Sequence, residues 1–167
     1  FCTHPVFQVF FTLANAPGGN TCFIATRPHE GFRLQRLKDK LGGRCLASSE
    51  VEFFRLPAQV LGEEGRGTAV MIEQIIWTRL DALLGGAGMM RRVLAEALWH
   101  CRHRHSFGSA LIEKRAMLNV LADLALESEA AMTAALRIAS AFDAGEDPHE
   151  QAFRRFALSP LKYWVAK

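Results

Sequence analysis

The feature that most constrains this chain is a change of texture at "GEEGRG", residues 62–67. Before it, Phe, Val and Thr recur in short runs cut by Pro and Gly; from Thr68 onward Ala, Leu, Met and charged residues take over. Branched and aromatic side chains fit a pleated surface, whereas Ala, Leu and Met lose little freedom in a helix. The chain therefore reads as α+β, strands first and long helices after, with a division at 1–64 and 65–167. Half of its 167 residues are hydrophobic and 22% are charged, enough for a buried core and unlike a disordered tail or a membrane span.

Within the first part, "VFQVFFTLA", "TCFIATR", "FRLQRL" and "VEFFRL" lie between turn signals such as "NAPGGN" and "RPHEG", and four short strands follow. Connections this short favour antiparallel neighbours. "KDKLGGRCLASS" is a polar loop between the third and fourth. In the second part Ile72, Ile75, Ile76, Arg79, Leu80 and Leu83, then Met90, Val93, Leu94, Ala97 and Leu98, carry helical spacing, which predicts one helix over about 68–103. The "GGAG" at 85–88 is expected to mark a close helix crossing, because glycine in a helix otherwise costs about 1 kcal/mol against alanine. After "HSFGS" a second helix spans Leu111 to Phe142. Gly145 stops it, and Asp147 with Pro148 starts a third running to the terminus. The expected architecture is an antiparallel β portion followed by long antiparallel helices.

Charge says little about partners. The formal net charge is +3, too small to imply nucleic-acid binding by itself. Cys2, Cys22, Cys45 and Cys101 contain no CxxC and no dense disulfide framework, so reduced, cytoplasmic thiols are expected. The chain opens at Phe1 without a signal-like segment and closes on "LKYWVAK", and is expected to be a piece of a longer protein.

The densest chemistry lies in "WHCRHRHSFG", residues 99–108, with three histidines, a cysteine and two arginines. On a helix His100 and His103 would share one face and Cys101 and His105 another, too few ligands on either for a metal; a basic helix end suited to the C-terminal dipole is the simpler reading. "GEEGRG" and "GGAG" lack the Gly-Lys-Ser/Thr of a phosphate loop and the context of a dinucleotide fold, and read as a turn and a packing contact. Ser48 and Ser49 read as loop hydroxyls. Among carboxylates, Asp123, Glu127 and Glu129 fall on polar faces; Glu73 and Asp81 lie near the apolar stripe, where a buried ion pair with arginine would account for them. The pairs Arg91-Arg92 and Arg154-Arg155 read as solvated faces.

The order of "RLKDKLGGRCLASSEVEF", "VLGEEGRG", "TRLDALLGGAG" and "RHSFGSALIEKRAMLNVLADLALESEAA" resembles the second half of an acyl-CoA dehydrogenase across nearly the whole chain. In that family a β-domain with a K-x-G-x-R segment leads through LGxxGxG to a helical domain whose second helix follows R-x-x-F-G. The wording of "LKDKLGGRCLASSEVEF" and "MMRRVLAEALWHCRHRHSFG" is similar to the AidB-type, isovaleryl-CoA-dehydrogenase-like branch, flavoproteins of the bacterial response to DNA alkylation.

The resemblance implies an FAD, an acyl-CoA substrate and a homo-oligomer, dimer or tetramer, with DNA as a further partner of the full-length protein. It aligns Phe1 and Thr3 with a strand whose aromatic ring packs on the flavin and whose hydroxyl bonds its reactive edge. It places Arg104, Ser106 and Phe107 at the R-x-x-F-G positions, which in the family reach the FAD pyrophosphate across a dimer interface. No catalytic residue is implied among these 167: the isovaleryl-CoA type carries its glutamate one residue before the helical arginine, where this chain has Thr78 before Arg79, and otherwise the glutamate lies farther on.

Overall fold

The structure, a computed structural model, describes residues 4–27 and 29–167. It resolves into two compact units, one ending at Gln74 and the other covering Ile75–Lys167.

In the first unit β1 (Val9–Ala16) and β2 (Gly19–Thr26) form an antiparallel hairpin around "PG", and β5 (Ala58–Val60) adds to the other side of β2. A separate antiparallel pair joins β3 (Phe32–Leu37) to β4 (Ser49–Phe53), with a bulge between Leu34 and Arg36. All four expected strands are present. The fifth, three residues long, carries too little pattern to be read from sequence. Buried Phe10 packs on Phe32, ring centroids 4.9 Å apart, and Phe32 on Phe53, so one aromatic cluster joins the two sheets. Arg36 makes a two-point contact with Glu50 that holds the Glu50 carboxyl below its ordinary range. Ser49 corrects its reading as a loop hydroxyl: it opens β4 and is fully buried, whereas Ser48 accepts a hydrogen bond from Lys40 Nζ at 3.0 Å.

"GEEGRG" is a turn with a physical reason for its glycines. Gly18 N–H donates to Glu64 Oε1 at 2.8 Å and Gly65 N–H to Thr21 Oγ1 at 2.9 Å, which seats the turn on the β1–β2 hairpin. Gly65 has φ +82°, and a Cβ there would collide with the Gly18 carbonyl oxygen.

Three helices follow: α1 (Gly67–His103), α2 (Arg115–Asp143) and α3 (Pro148–Ala166). Asp147 caps α3, its Oδ1 accepting from the N–H groups of His149 and Glu150 at 2.8 and 3.3 Å, with Pro148 in the first turn. The core of the second unit is built from Leu80, Leu83 and Ala87 of α1, Ala131, Ala135 and Ile138 of α2, and Ala157 and Leu158 of α3. Contacts fix the helix directions. Trp77 meets Phe142, Arg137 pairs with Glu150 and Trp164 donates to Glu127, so α2 runs against both neighbours. Arg79 donates to Ser159 Oγ and Gly86 faces Val165, so α1 and α3 run the same way.

The glycine run is a crossing at one position only. A Cβ on Gly86 would lie 2.7 Å from Val165 Cγ1, whereas Gly85 and Gly88 face open space. The apolar stripe of α1 is also wider than the core it supplies, since Ile72, Ile75 and Val93 are exposed.

Candidate functional site

The helical spacing of α1 ends at His103, where the chain turns into a two-residue-looped hairpin of β6 (His105–Ser106) and β7 (Ser109–Ala110). Arg104 sits at the junction. Its N–H makes the last helical bond, to His100 O at 2.8 Å, and its carbonyl accepts from Leu111 N–H at 2.9 Å, extending the hairpin ladder back by one pair. Side chains alternate in direction along extended backbone, so Arg104 and Ser106 share one side while His105 falls on the other, opposite buried Ala110. Ser106 and Ser109 are half-buried partners across the ladder.

At the tip, Phe107 has φ +49° and Gly108 φ +83°. Two positive φ values in a two-residue loop make a type I′ turn, which suits the twist of a hairpin but usually takes Asn-Gly. A phenylalanine in the left-handed region costs about 1–2 kcal/mol, and here its side chain is 97% exposed. A ring held in an unfavourable backbone conformation and left wholly in solvent contributes nothing to this chain's own core.

The histidines do not converge. The His103 ring packs at a tilt against Trp99, ring centroids 4.5 Å apart, with Nδ1 2.7 Å from Trp99 O, and His105 Nδ1 lies 3.2 Å from His103 O. The expected helical pairing of Cys101 with His105 is corrected, because His105 lies in the hairpin beyond the helix end; Cys101 is buried. Among the described residues, no three His, Cys, Asp or Glu side chains group as metal ligands.

Among the described residues no carboxylate pairs with Arg104, which leaves its five-donor fork open to a phosphate or carboxylate ligand. Glu73 and Asp81 are both exposed, and Arg79 bonds a serine hydroxyl; the expectation of a buried ion pair near the stripe is overturned because that side of α1 faces out. Arg92 pairs with Glu96, while Arg154 is half-buried over the Phe142 ring, 5.2 Å from its centroid, so that arginine pair is not simply a solvated face. Phe1 and Thr3 lie outside the described residues. One further residue, which no sequence motif marks, adjoins the hairpin: Lys114, whose Nζ donates to Phe107 O at 3.4 Å.

Residues 65–167 match the family described as acyl-CoA dehydrogenase, C-terminal domain. The chain is 36% identical over 172 aligned residues to the putative acyl-CoA dehydrogenase AidB of Escherichia coli (strain K12), covering all of this chain and 32% of that protein. Among solved structures it is similar to Caenorhabditis elegans ACDH-11 in complex with C11-CoA (TM-score 0.87, 24% identity, 95% of this chain and 30% of that one). It is also similar to PigA with FAD and proline (TM-score 0.78, 22% identity, 96% and 44%). The chain thus spans about a third of the length of the AidB protein it matches.

Proposed function

The chain belongs to the acyl-CoA dehydrogenase family, and from that premise we propose that it is part of an FAD-dependent oxidoreductase that introduces an α,β double bond into an acyl-CoA thioester. FAD, when bound, supplies the hydride-accepting chemistry, which no side chain offers. The chain's own residues bind and orient. Arg104 offers paired donors to diphosphate oxygens and remains charged when partly desolvated. Ser106, on the same side of the hairpin, adds a hydroxyl, and Phe107 an apolar ring. Phe1 and Thr3 are assigned to the flavin ring and its reactive edge. No base is assigned within these residues: Glu73 and Asp81 are exposed, and a general base needs a shielded position near the substrate carbon.

The observation that carries this reading is the hairpin, with an unpaired guanidinium on one side of its ladder and an exposed ring on a strained turn at its tip. Such a tip suits contact with a second protomer, and the proposal includes a homo-oligomer in which Arg104 and Phe107 serve the neighbour's flavin. The free thiols of Cys22, Cys45 and Cys101 fit a cytoplasmic setting. The test is anaerobic titration of the full-length flavoprotein with acyl-CoA thioesters of graded chain length. Bleaching of the oxidised-flavin absorbance by at least one supports the reading, and an unchanged spectrum with all of them contradicts it.

A second reading has a specific observation behind it, the identity to E. coli AidB over the whole chain. On that reading the protein is an AidB-type flavoprotein of the DNA alkylation response whose main role is DNA binding or protection. Tight duplex-DNA binding by the full-length protein, with turnover of every thioester negligible, would favour it.

A further inference from the structure

Lys114 occupies a position that its own helix does not explain. It is the residue before α2, with extended backbone at φ −82° and ψ +124°, and its carbonyl accepts the N–H of Leu118 at 2.9 Å. Helices favour Ser, Thr, Asp or Asn there, because a side-chain oxygen can accept from the open N–H groups of the first turn. Lysine has no acceptor, makes no cap, and places a cation at the positive end of the helix dipole. No acidic residue in the first turn offsets it. A choice that opposes local preference points to a task elsewhere.

The side chain reaches back seven residues, where Nζ donates to the exposed carbonyl of Phe107 at 3.4 Å. That carbonyl belongs to the first residue of the two-residue loop, past the last ladder pair, Ser106 with Ser109. The backbone of Lys114 is itself fixed, since its N–H donates to Leu111 O at 3.0 Å and Leu111 N–H donates to Arg104 O. The path from Arg104 through Leu111 and Lys114 to Phe107 therefore closes on the hairpin from both ends.

We propose that Lys114 is a positioning residue for the diphosphate-bearing cofactor, holding the strained Phe107 turn so that the Arg104 face of the hairpin keeps its binding shape. The proposal rests on the flavin reading of the hairpin given above. Lys114 acts through its hydrogen bond to the turn, and its charge is incidental to that task.

The test uses the full-length apoprotein and FAD, with Lys114→Ser, Lys114→Arg and, as a control on the flavin reading, Arg104→Ala. Serine is the better cap, so Lys114→Ser raises the melting temperature of the apoprotein while weakening FAD binding roughly three- to tenfold, the loss of one hydrogen bond's worth of order. Lys114→Arg keeps a donor of similar reach and stays within about twofold of the wild-type dissociation constant. Because the effect is positional, the loss in Lys114→Ser is the same at low and high salt. Stability and affinity moving in opposite directions, with rescue by arginine, supports the proposal. Unchanged FAD affinity in Lys114→Ser, or a loss that vanishes at high salt, overturns it. If Arg104→Ala also leaves affinity unchanged, it is the flavin reading that has failed; if only Lys114→Ser is silent, the reading stands and the positioning role falls.

Discussion

The three glycines at 85, 86 and 88 differ in what an added methyl would meet, and alanine substitutions should separate them by sign. At Gly85 and Gly88 a Cβ meets nothing within 4 Å. Alanine there removes backbone entropy from the unfolded chain and should stabilise α1 by about 0.5–1 kcal/mol per site. At Gly86 the same propensity gain is opposed by a Cβ 2.7 Å from Val165 Cγ1, next to fully buried Ala87. Such a separation requires Val165 or the α1–α3 spacing to give by the better part of an ångström, and overpacking of that kind costs about 1–3 kcal/mol. The net effect of Gly86→Ala is a destabilisation of about 0.5–2 kcal/mol, a fall in melting temperature of roughly 2–6 °C for a chain of this size. Thermal unfolding followed by circular dichroism at 222 nm reads all three. A Gly86→Ala/Val165→Ala double variant should recover most of the single-site loss, because the second change removes the clashing methyl. Stabilisation by all three single variants, or no recovery in the double, would refute the close approach of Gly86 to Val165.

Asp147→Ala should lower stability by about 1 kcal/mol, since it strips the cap from two N–H groups of α3; equilibrium urea unfolding measures it, and a change in midpoint too small to resolve would contradict the cap. The Arg36–Glu50 contact should show itself in pH dependence. The Glu50 carboxyl is held low by Arg36, so its contribution is present above the ordinary carboxylate range and fades as pH falls through the lowered value. Wild type and Glu50→Gln should accordingly differ in melting temperature at neutral pH and converge in acid; a difference that persists unchanged into acid would sink this account.

The long helices and four of the strands were legible because their signals are repetitive. Residues such as Leu80, Leu83, Ala135 and Ile138 recur at the spacing of a helix face, and Asp147-Pro148 and Gly145 mark chain direction changes through side-chain and backbone preferences that act locally. What stayed hidden depends on contacts distant in sequence. Gly86 is distinguished from Gly85 and Gly88 only by Val165, nearly eighty residues on. Glu73 and Asp81 look shielded on a helical wheel, yet their side of α1 is uncovered.

At the candidate site, resemblance singles out Arg104, Ser106 and Phe107, since composition distinguishes them poorly from the neighbouring histidines. Their common hairpin, and the left-handed turn that exposes Phe107, are not legible in the sequence, because a phenylalanine gives no local signal for positive φ. Lys114 carries no such signal in the sequence, because helical spacing starts the second helix at Leu111, whereas α2 begins at Arg115 and leaves Lys114 at its cap.

The most direct test of the central claim is the FAD affinity of Arg104→Ala in the full-length protein, measured by flavin fluorescence titration and by flavin retention through gel filtration. A charge-assisted contact to diphosphate is worth about 1.5–3 kcal/mol, so its loss should raise the dissociation constant about ten- to a hundredfold and release flavin on the column. Wild-type retention and an unaltered dissociation constant would contradict it.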